Sequence, residues 1–231
     1  MDDLNNRNYS SPSEEVGRGA AIKRFVTNPI GENCYLIWGK NRECAIIDCG
    51  ALGAAQESKI ADFIERNELR PTLALQTHMH FDHMFGLHFL FRTYNLQPQC
   101  HASEQIIYDF APQMSAQLLG VQIERPLVPI KSYLTDGQTI PFGESQIQVI
   151  HTPGHTPGGL CFYLSDAKVL FSGDTLFQGS IGRSDLPGGD TDALIESIRT
   201  RLLTLPSDTM VYPGHGPQTT IGEELNSNPY I

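Results

Sequence analysis

Cysteine is scarce in this sequence, and none of it forms a recognisable pair. The five cysteines are scattered over 231 residues without a C-x-x-C motif, at Cys34, Cys44, Cys49, Cys100 and Cys161. Disulfide scaffolds and cysteine zinc sites need even, closely spaced sets, so both are disfavoured. We interpret all five as reduced, buried apolar side chains, which predicts a cytoplasmic protein.

Basic residues and long apolar runs are also lacking. There are 16 Lys and Arg against 26 Asp and Glu, giving a net charge of -10. Nucleic acids and anionic membranes are bound through basic surfaces, so neither is expected as a partner. No apolar run approaches the ~18 residues of a membrane span. The N-terminus also lacks the basic and apolar regions of a secretory signal.

The first nineteen residues, MDDLNNRNYSSPSEEVGRG, are polar and differ from the rest of the chain. Their composition predicts a flexible leader over residues 1–19. From Ala20 onward the composition is that of a globular protein, and there are no linkers or low-complexity segments. A length of about 210 residues suits one domain, so residues 20–231 are predicted to form it.

Short strands and amphipathic helices alternate through that domain. The spacing of apolar residues predicts helices over 53–69, 84–95, 103–119 and 191–205, and a short one within 219–228. Strands are predicted in AIKRFVTNPI, CYLIWG, ECAIIDCG, TLALQT, GLCFYL, KVLFSGD and TMVYPGHG, with a hairpin turning at Gly143. This mixture indicates an α/β domain in which helices enclose the sheets.

The stretch THMHFDHMFG, residues 77–86, holds three of the eight histidines of the chain. In an extended segment, residues two apart share a face, so His78, His80 and Asp82 would point the same way. A helix would not bring His78 and His80 together. His83 joins them if the chain turns near Asp82. Four ligands from one short loop crowd a single ion, which favours two adjacent ions.

Further ligands are available where three later strands end beside glycine. VIHTPGHTPG offers His155, VLFSGDT offers Asp174, and VYPGHG offers His215. Loops at strand ends are common places for functional groups, and glycine lets the backbone approach closely. These positions predict that the three side chains complete the metal site.

The segments HxHxDH, TPGHT, SGDT and PGHG, in this order, resemble those of the metallo-β-lactamase-fold metallohydrolases. The resemblance runs from about Ile22 to the C-terminus. It implies a four-layer αββα sandwich over residues 20–231, with the metals at one edge of the two sheets. It also implies a first metal held by His78, His80 and His155, a second held by Asp82, His83 and His215, and Asp174 bridging both.

The same resemblance implies a hydrolase in which Asp82 and Asp174 act with a metal-bridging hydroxide. Imidazole ligands suit several metals, and zinc is the expected one, with iron and manganese as alternatives. Asp48, at the end of ECAIID, is interpreted as a hydrogen-bonding residue that orients a ligand. We expect His101 to be structural, His88 to be a packing or surface residue, and His151 to lie at a strand end or behind the ligands without binding metal itself.

Within the family, the details favour a compact subgroup similar to glyoxalase II (hydroxyacylglutathione hydrolase). Asp174 replaces the cysteine of many zinc β-lactamases, and His80 replaces the glutamate of flavodiiron proteins. LFQGSIGRSDLPGGD resembles the glyoxalase II loop whose basic residue contacts glutathione, which makes Arg183 the candidate substrate anchor. Asp185 stands where glyoxalase II has a tyrosine. Only residues 216–231 follow His215, so no C-terminal helical domain is expected.

The expected substrate is therefore a small anionic thioester similar to S-lactoylglutathione. Thiolate is a good leaving group and needs no strong general acid. One alternative is a persulfide dioxygenase with a single iron on His78, His155 and Asp174. Another is a non-catalytic protein that stores or senses metal. Residues 103–135 are candidates for a flap over the site, and the oligomeric state is left open.

Overall fold

Two β-sheets packed face to face lie at the centre of the structure, a computed structural model that describes residues 14–16 and 20–231. Within these residues the first sheet has seven strands, which lie side by side in chain order. They are β1 (Glu14–Val16), β2 (Ala20–Thr27), β3 (Glu32–Trp38), β4 (Glu43–Ile47), β5 (Arg70–Leu75), β6 (Pro98–His101) and β7 (Ser132–Leu134).

The first sheet changes from antiparallel to parallel at β4. Strands β1 to β4 are each antiparallel to the next, and each later strand is parallel to the one before it. Parallel neighbours need a crossover, and here helices provide it. These are α1 (Ala54–Arg66), α2 (Phe81–Met84), α3 (Leu87–Tyr94) and α4 (Gln105–Leu119), the last preceded by a 3-10 turn at Ala102–Glu104.

The second sheet has six strands over the described residues, in the order β15-β14-β11-β10-β9-β8. A small hairpin of β12 and β13 lies beside it. The strands are β8 (Thr139–Phe142), β9 (Ser145–His151), β10 (Leu160–Leu164), β11 (Val169–Gly173), β12 (Leu176–Phe177), β13 (Ser180–Ile181), β14 (Met210–Pro213) and β15 (Thr219–Thr220). The helices of this half are α5 (Thr191–Ser197), a π-helical turn at Ile198–Leu202, and α6 (Ile221–Ser227).

The hydrophobic core forms three layers, which explains why β3, β10 and β11 are buried on both faces. Ile37 and Phe162 meet between the sheets, whereas Leu36, one residue along β3, faces α1 and α3. On the far side, Leu170 of β11 and Leu194 of α5 belong to one cluster between the second sheet and the helix. The order of layers is helix, sheet, sheet, helix, so the predicted αββα sandwich is confirmed.

Two predicted helices are interrupted in the structure. The helix predicted over 84–95 is divided into α2 and α3 around Gly86, whose N–H donates to the carbonyl of Cys49 at 2.7 Å. A Cβ at residue 86 would overlap the Cys49 sulfur, so the close approach needs glycine. The helix predicted over 191–205 changes from α to π geometry at Ile198.

The structure also bears on the predictions about the leader, the cysteines and the domain. Of the leader, only Glu14–Val16 is described, and it pairs with β2 as a strand, whereas the leader prediction for residues 1–13 and 17–19 lies outside the described residues. The five cysteines are buried free thiols, as the sequence indicated. Among the described residues, no helix has the length and apolar character that crossing a bilayer requires. The extent of a single domain stays a prediction.

Candidate metal centre

The histidine stretch leaves β5 in an extended conformation and then turns into a helix. His80 has an extended backbone, with φ of -65° and ψ of 148°, and α2 begins at the next residue. The rings of His78 and His80 therefore lie on one side, with centroids 4.9 Å apart. Asp82 and His83 lie in the helical turn and point to a second position. This turn lets one short segment supply two neighbouring clusters of side chains.

The first cluster consists of His78, His80 and His155. His155 is in the loop between β9 and β10, and its Nε2 lies 2.9 Å from His80 Nδ1 and 3.2 Å from His78 Nε2. One nitrogen from each ring thus meets the others within the reach of a single ion. The site lies where loops from both sheets come together, at the edge that the family resemblance implied.

The outer nitrogens of two rings of this cluster, His78 and His155, are hydrogen-bonded to the protein. His155 Nδ1–H donates to the carbonyl of Arg183 at 2.6 Å, and His78 Nδ1–H donates to Thr77 Oγ1 at 3.1 Å. Burial lowers the pKa of His78 well below its usual range and that of His80 to about 3. With these partners, neutral His78 and His155 direct the lone pairs of their Nε2 atoms at each other across 3.2 Å. A cation between them would turn a repulsive contact into a favourable one.

The second cluster consists of Asp82, His83 and His215. Asp82 Oδ2 is 3.1 Å from His215 Nε2 and 3.5 Å from His83 Nε2. Burial alone would raise the pKa of Asp82, but the two histidines hold it below its usual value. Burial would likewise lower the pKa of His83, but nearby aspartates hold it well above its usual value. The cluster therefore brings a carboxylate oxygen and two imidazole nitrogens close enough together to bind one metal ion.

Asp174 lies between the two clusters, directly after β11. Its Oδ1 is 3.5 Å from His83 Nε2, whereas its Oδ2 is 3.6 Å from His155 Nε2 and 3.7 Å from His215 Nε2. Asp174 Oδ1 and His83 Nε2 are buried and have no hydrogen-bond partner among the described residues. Buried polar atoms are rarely left in this state. Such orphaned atoms, aimed at one another, fit a site built to hold metal.

Asp48, which follows β4, connects the two clusters by hydrogen bonds to groups on their outer side. Its Oδ2 accepts hydrogen bonds from Thr77 Oγ1–H at 2.6 Å and from His83 Nδ1–H at 3.1 Å. Because Thr77 in turn accepts from His78, a single carboxylate fixes one ring of each cluster. This geometry suits the orienting role predicted for Asp48. Thr77 was not identified from the sequence, although its position next to His78 was a possible signal.

The three histidines not expected to bind metal lie outside both clusters. His101 and His151 stack on each other with centroids 4.3 Å apart, and His151 Nε2–H donates to the carbonyl of Pro157. His88 is hydrogen-bonded to the carbonyl of Glu124. These contacts are with residues outside the two clusters, so the three rings pack elsewhere in the protein.

Arg183 lies next to the first cluster through its backbone, while its side chain is exposed. The guanidinium forms two hydrogen bonds with Asp185, at 2.8 and 2.9 Å. These bonds hold the pKa of Asp185 at about 2. A substrate anion reaching Arg183 would therefore compete with Asp185 for the same donors. The ion pair was not expected from the sequence.

Residues 27–215 match the model of the metallo-beta-lactamase superfamily, and the chain belongs to that superfamily. It is 35% identical to the hydroxyacylglutathione hydrolase GloC of Haemophilus influenzae, over 87% of this chain and 92% of that protein. Among solved structures it is similar to BLEG-1, a B3 metallo-beta-lactamase, with a TM-score of 0.83, 37% identity, and 90% and 98% of the two chains covered. It is also similar to TTHA1623 in a di-iron-bound form, with a TM-score of 0.80, 38% identity, and 90% and 99% covered.

Family membership and the clusters together define a metallohydrolase with candidate sites for divalent metal ions. The ligands present are imidazole and carboxylate groups, which several metals accept. The similarity to a di-iron-bound structure shows that this fold accommodates iron as well. The identity of the metal and the assignment of each ligand therefore belong to the proposal below.

Gly214 provides a test of the space inside the centre. A Cβ at this residue would overlap Asp174 Oδ1 and would lie 2.7 Å from His83 Cε1. We expect Gly214→Ala to displace the Asp174 carboxylate and to lower metal occupancy to one ion per chain or fewer. Metal analysis after dialysis measures this. Gly216→Ala is the matched control, because a Cβ there meets nothing, although its positive φ of 77° adds some strain. Full occupancy in Gly214→Ala would contradict the arrangement described here.

Proposed function

We propose that the chain is a hydrolase with two divalent metal ions that cleaves small anionic thioesters similar to S-lactoylglutathione. The first cluster would hold one ion and the second cluster the other. The observation that carries the proposal is the position of Asp174, whose Oδ1 faces His83 of the second cluster and whose Oδ2 lies within 3.7 Å of a ring in each cluster. A carboxylate within reach of both clusters would be able to bridge two ions, whereas a single-ion site would need it beside one cluster only. We favour zinc, with iron or manganese as alternatives.

Two divalent ions bound there would lower the pKa of a water molecule to near neutrality and polarise a carbonyl group. The surrounding residues hold the ligand side chains in the orientation that this chemistry needs. Asp48 fixes His83 directly and His78 through Thr77, and the Arg183 carbonyl fixes His155, so the ligand nitrogens need little reorganisation. Asp82 and Asp174 supply negative charge without cancelling that of two divalent ions. The centre therefore attracts an anionic substrate.

The thioester assignment has two supports. The first is the similarity to GloC, named as a hydroxyacylglutathione hydrolase, over most of both chains. The second is chemical: the two clusters contain no group suited to protonate a poor leaving group. A departing thiolate is stable at a pH near its pKa of about 8.5 and needs no such acid.

Two other reactions provide informative comparisons. A mononuclear persulfide dioxygenase would use His78, His155 and Asp174, which do lie together. That assignment gives no role to Asp82, His83 and His215, the members of the second cluster. β-Lactam hydrolysis is the second comparison, because BLEG-1 is a B3 metallo-beta-lactamase at 37% identity. Both reactions are included in the test.

The test combines metal analysis with three assays on the same preparation. We expect two ions per chain and efficient hydrolysis of S-lactoylglutathione, with little turnover of a chromogenic cephalosporin. Oxygen consumption on adding glutathione persulfide should be absent. One iron per chain with oxygen uptake would support the dioxygenase instead. Cephalosporin hydrolysis exceeding thioester hydrolysis would overturn the substrate assignment.

The pair of Arg183 and Asp185 gives a prediction about substrate recognition. If Arg183 anchors the anion, Arg183→Ala should raise KM for S-lactoylglutathione by about tenfold, typical of one lost charge-assisted hydrogen bond. Asp185→Asn should lower KM by roughly two- to fivefold, because it removes an exposed competitor for the guanidinium. Steady-state kinetics of both variants measure these effects.

The control for this prediction is a neutral thioester of a simple alkyl thiol. Neither substitution should change its KM, because that substrate has no anion for Arg183 to contact. An unchanged KM for S-lactoylglutathione in Arg183→Ala would remove Arg183 from substrate binding while leaving the metal centre as proposed.

A further inference from the structure

Glu104 joins two loops of the metal centre, although it is distant from them in sequence. It is the last residue of the 3-10 turn before α4, and its side chain is fully buried. Its Oε2 accepts a hydrogen bond from the backbone N–H of Met79 at 2.7 Å. Its Oε1 accepts one from the backbone N–H of Gly158 at 2.9 Å. Each oxygen thus holds a different loop.

These two loops supply all the members of the first cluster. Met79 lies between His78 and His80, and Gly158 lies three residues after His155. The three ring nitrogens meet only if the two loops keep a fixed separation. A carboxylate with one oxygen on each loop sets that separation. A Cβ at Gly158 would lie 2.8 Å from Glu104 Oε1, so the backbone approaches this carboxylate closely.

The charge of Glu104 is as unusual as its position. Glutamate is almost never fully buried unless it is paired, and isolation of a charge from water is costly. In the described part of the chain, Glu104 has no ion pair with a lysine or arginine. Burial raises the pKa of its carboxyl, and the Thr156 side chain and then the backbone N–H groups of Met79 and Gly158 oppose that rise. A bound cation at the neighbouring first cluster is the positive charge that this position lacks.

We infer that Glu104 is a positioning residue for the first metal: it locks the loops of His78, His80 and His155 together and favours a cation between them. Asp82 and His83 of the second cluster follow Met79 in the same segment, but Glu104 holds that segment between His78 and His80, and the Gly158 loop carries His155 of the first cluster. The inference rests on the two-ion centre proposed above and adds a site-selective role that the family motifs do not contain. Its consequence is that loss of Glu104 should empty one metal position and spare the other.

The test is a zinc titration of metal-free protein carrying Glu104→Gln. The amide keeps the size of the side chain but can accept from only one backbone N–H, and its NH2 group faces the other donor. Loss of such an orienting partner typically weakens metal binding 10- to 100-fold. We expect that loss at one site and a change below about threefold at the other. At intermediate free zinc, occupancy should fall from two ions per chain to one.

Glu224→Gln is the matched control. Glu224 is also a buried glutamate that accepts from a backbone N–H, that of Gly179, but it touches neither loop of the first cluster. It should retain both ions. Two double variants identify the emptied site. Adding His80→Ala to Glu104→Gln should leave one ion, whereas adding His215→Ala should leave none.

The remaining outcomes decide against the inference. Wild-type zinc affinities in Glu104→Gln, with only a lower melting temperature of the metal-free protein, would make Glu104 purely structural. Equal weakening of both sites would remove its selectivity. If Glu104→Gln does not fold, Glu104→Asp replaces it: the shorter side chain keeps the charge but cannot reach both loops, and the same loss at one site is expected. Fewer than two ions in the wild-type protein would overturn the two-ion centre itself.

Discussion

Replacing His80 with alanine is expected to lower kcat/KM for S-lactoylglutathione by at least about a thousandfold. A metal that activates water and polarises a carbonyl contributes several kcal/mol to the transition state, and about 4 kcal/mol corresponds to this factor. His80 Nδ1 is one of three nitrogens in the first cluster, so its removal leaves that ion with too few protein ligands. Activity of purified variant protein, measured with its metal content, checks the expectation.

The fold should survive this substitution. His80 is a neutral ring in the metal-free protein, since burial lowers its pKa to about 3, so no buried charge loses its partner. The melting temperature of the metal-free variant should stay within a few degrees of wild type, as for roughly 1 kcal/mol. His88→Ala is the control, because its ring contacts Glu124 outside the centre. Full activity of His80→Ala would contradict the dinuclear mechanism.

The ligand set could be anticipated because it depends on local spacing. His78 and His80 follow a strand, and alternation along an extended chain places them on one face. The turn into α2 at Phe81 then separates Asp82 and His83 from them, as suspected from the crowding of one loop. His155, Asp174 and His215 were recognisable because each follows a strand and adjoins glycine. The structure brings all of these side chains together.

The supporting contacts could not be anticipated in the same way. Glu104 acts on Met79 and Gly158, which are 25 and 54 residues away, and its own surroundings in sequence predict an ordinary helix start. The ion pair between Arg183 and Asp185 depends on the path of an exposed loop. The break at Gly86 depends on Cys49, which belongs to another element. Such long-range packing is decided by the assembled fold, and no periodicity in the sequence indicates it.

Asp48 shows how the two kinds of information combine. Its position at a strand end predicted an orienting role, but the structure adds that it serves both clusters, through Thr77 and directly through His83. The two clusters are therefore connected by Asp48, which is bonded to a ring of one and through Thr77 to a ring of the other, and by Asp174, which lies between them. Glu104, by contrast, holds the segment of His78 and His80 at Met79 and the loop of His155 at Gly158. The site thus contains two carboxylates shared by the clusters and, in our proposal, a third that supports the first cluster selectively.

Removal of the metals by a chelator is expected to lower the melting temperature by about 10–20 °C. At free metal a hundredfold above Kd, one site stabilises the folded state by about 2.7 kcal/mol, so two sites contribute about 5 kcal/mol. For a chain of this size, each kcal/mol shifts the melting temperature by about 2–4 °C. The structural reason is that two buried carboxylates and the facing lone pairs of the first cluster lose the cations between them.

Thermal unfolding with and without a chelator, followed by return of excess zinc, measures the effect. His80→Ala should show roughly half the wild-type shift, because only the second ion remains to be removed. His88→Ala should show the full shift. A melting temperature that does not respond to chelation in protein shown to contain two ions would mean that the clusters hold metal without stabilising the fold. That result would conflict with the orphaned atoms Asp174 Oδ1 and His83 Nε2, whose burial is tolerable when a cation contacts them.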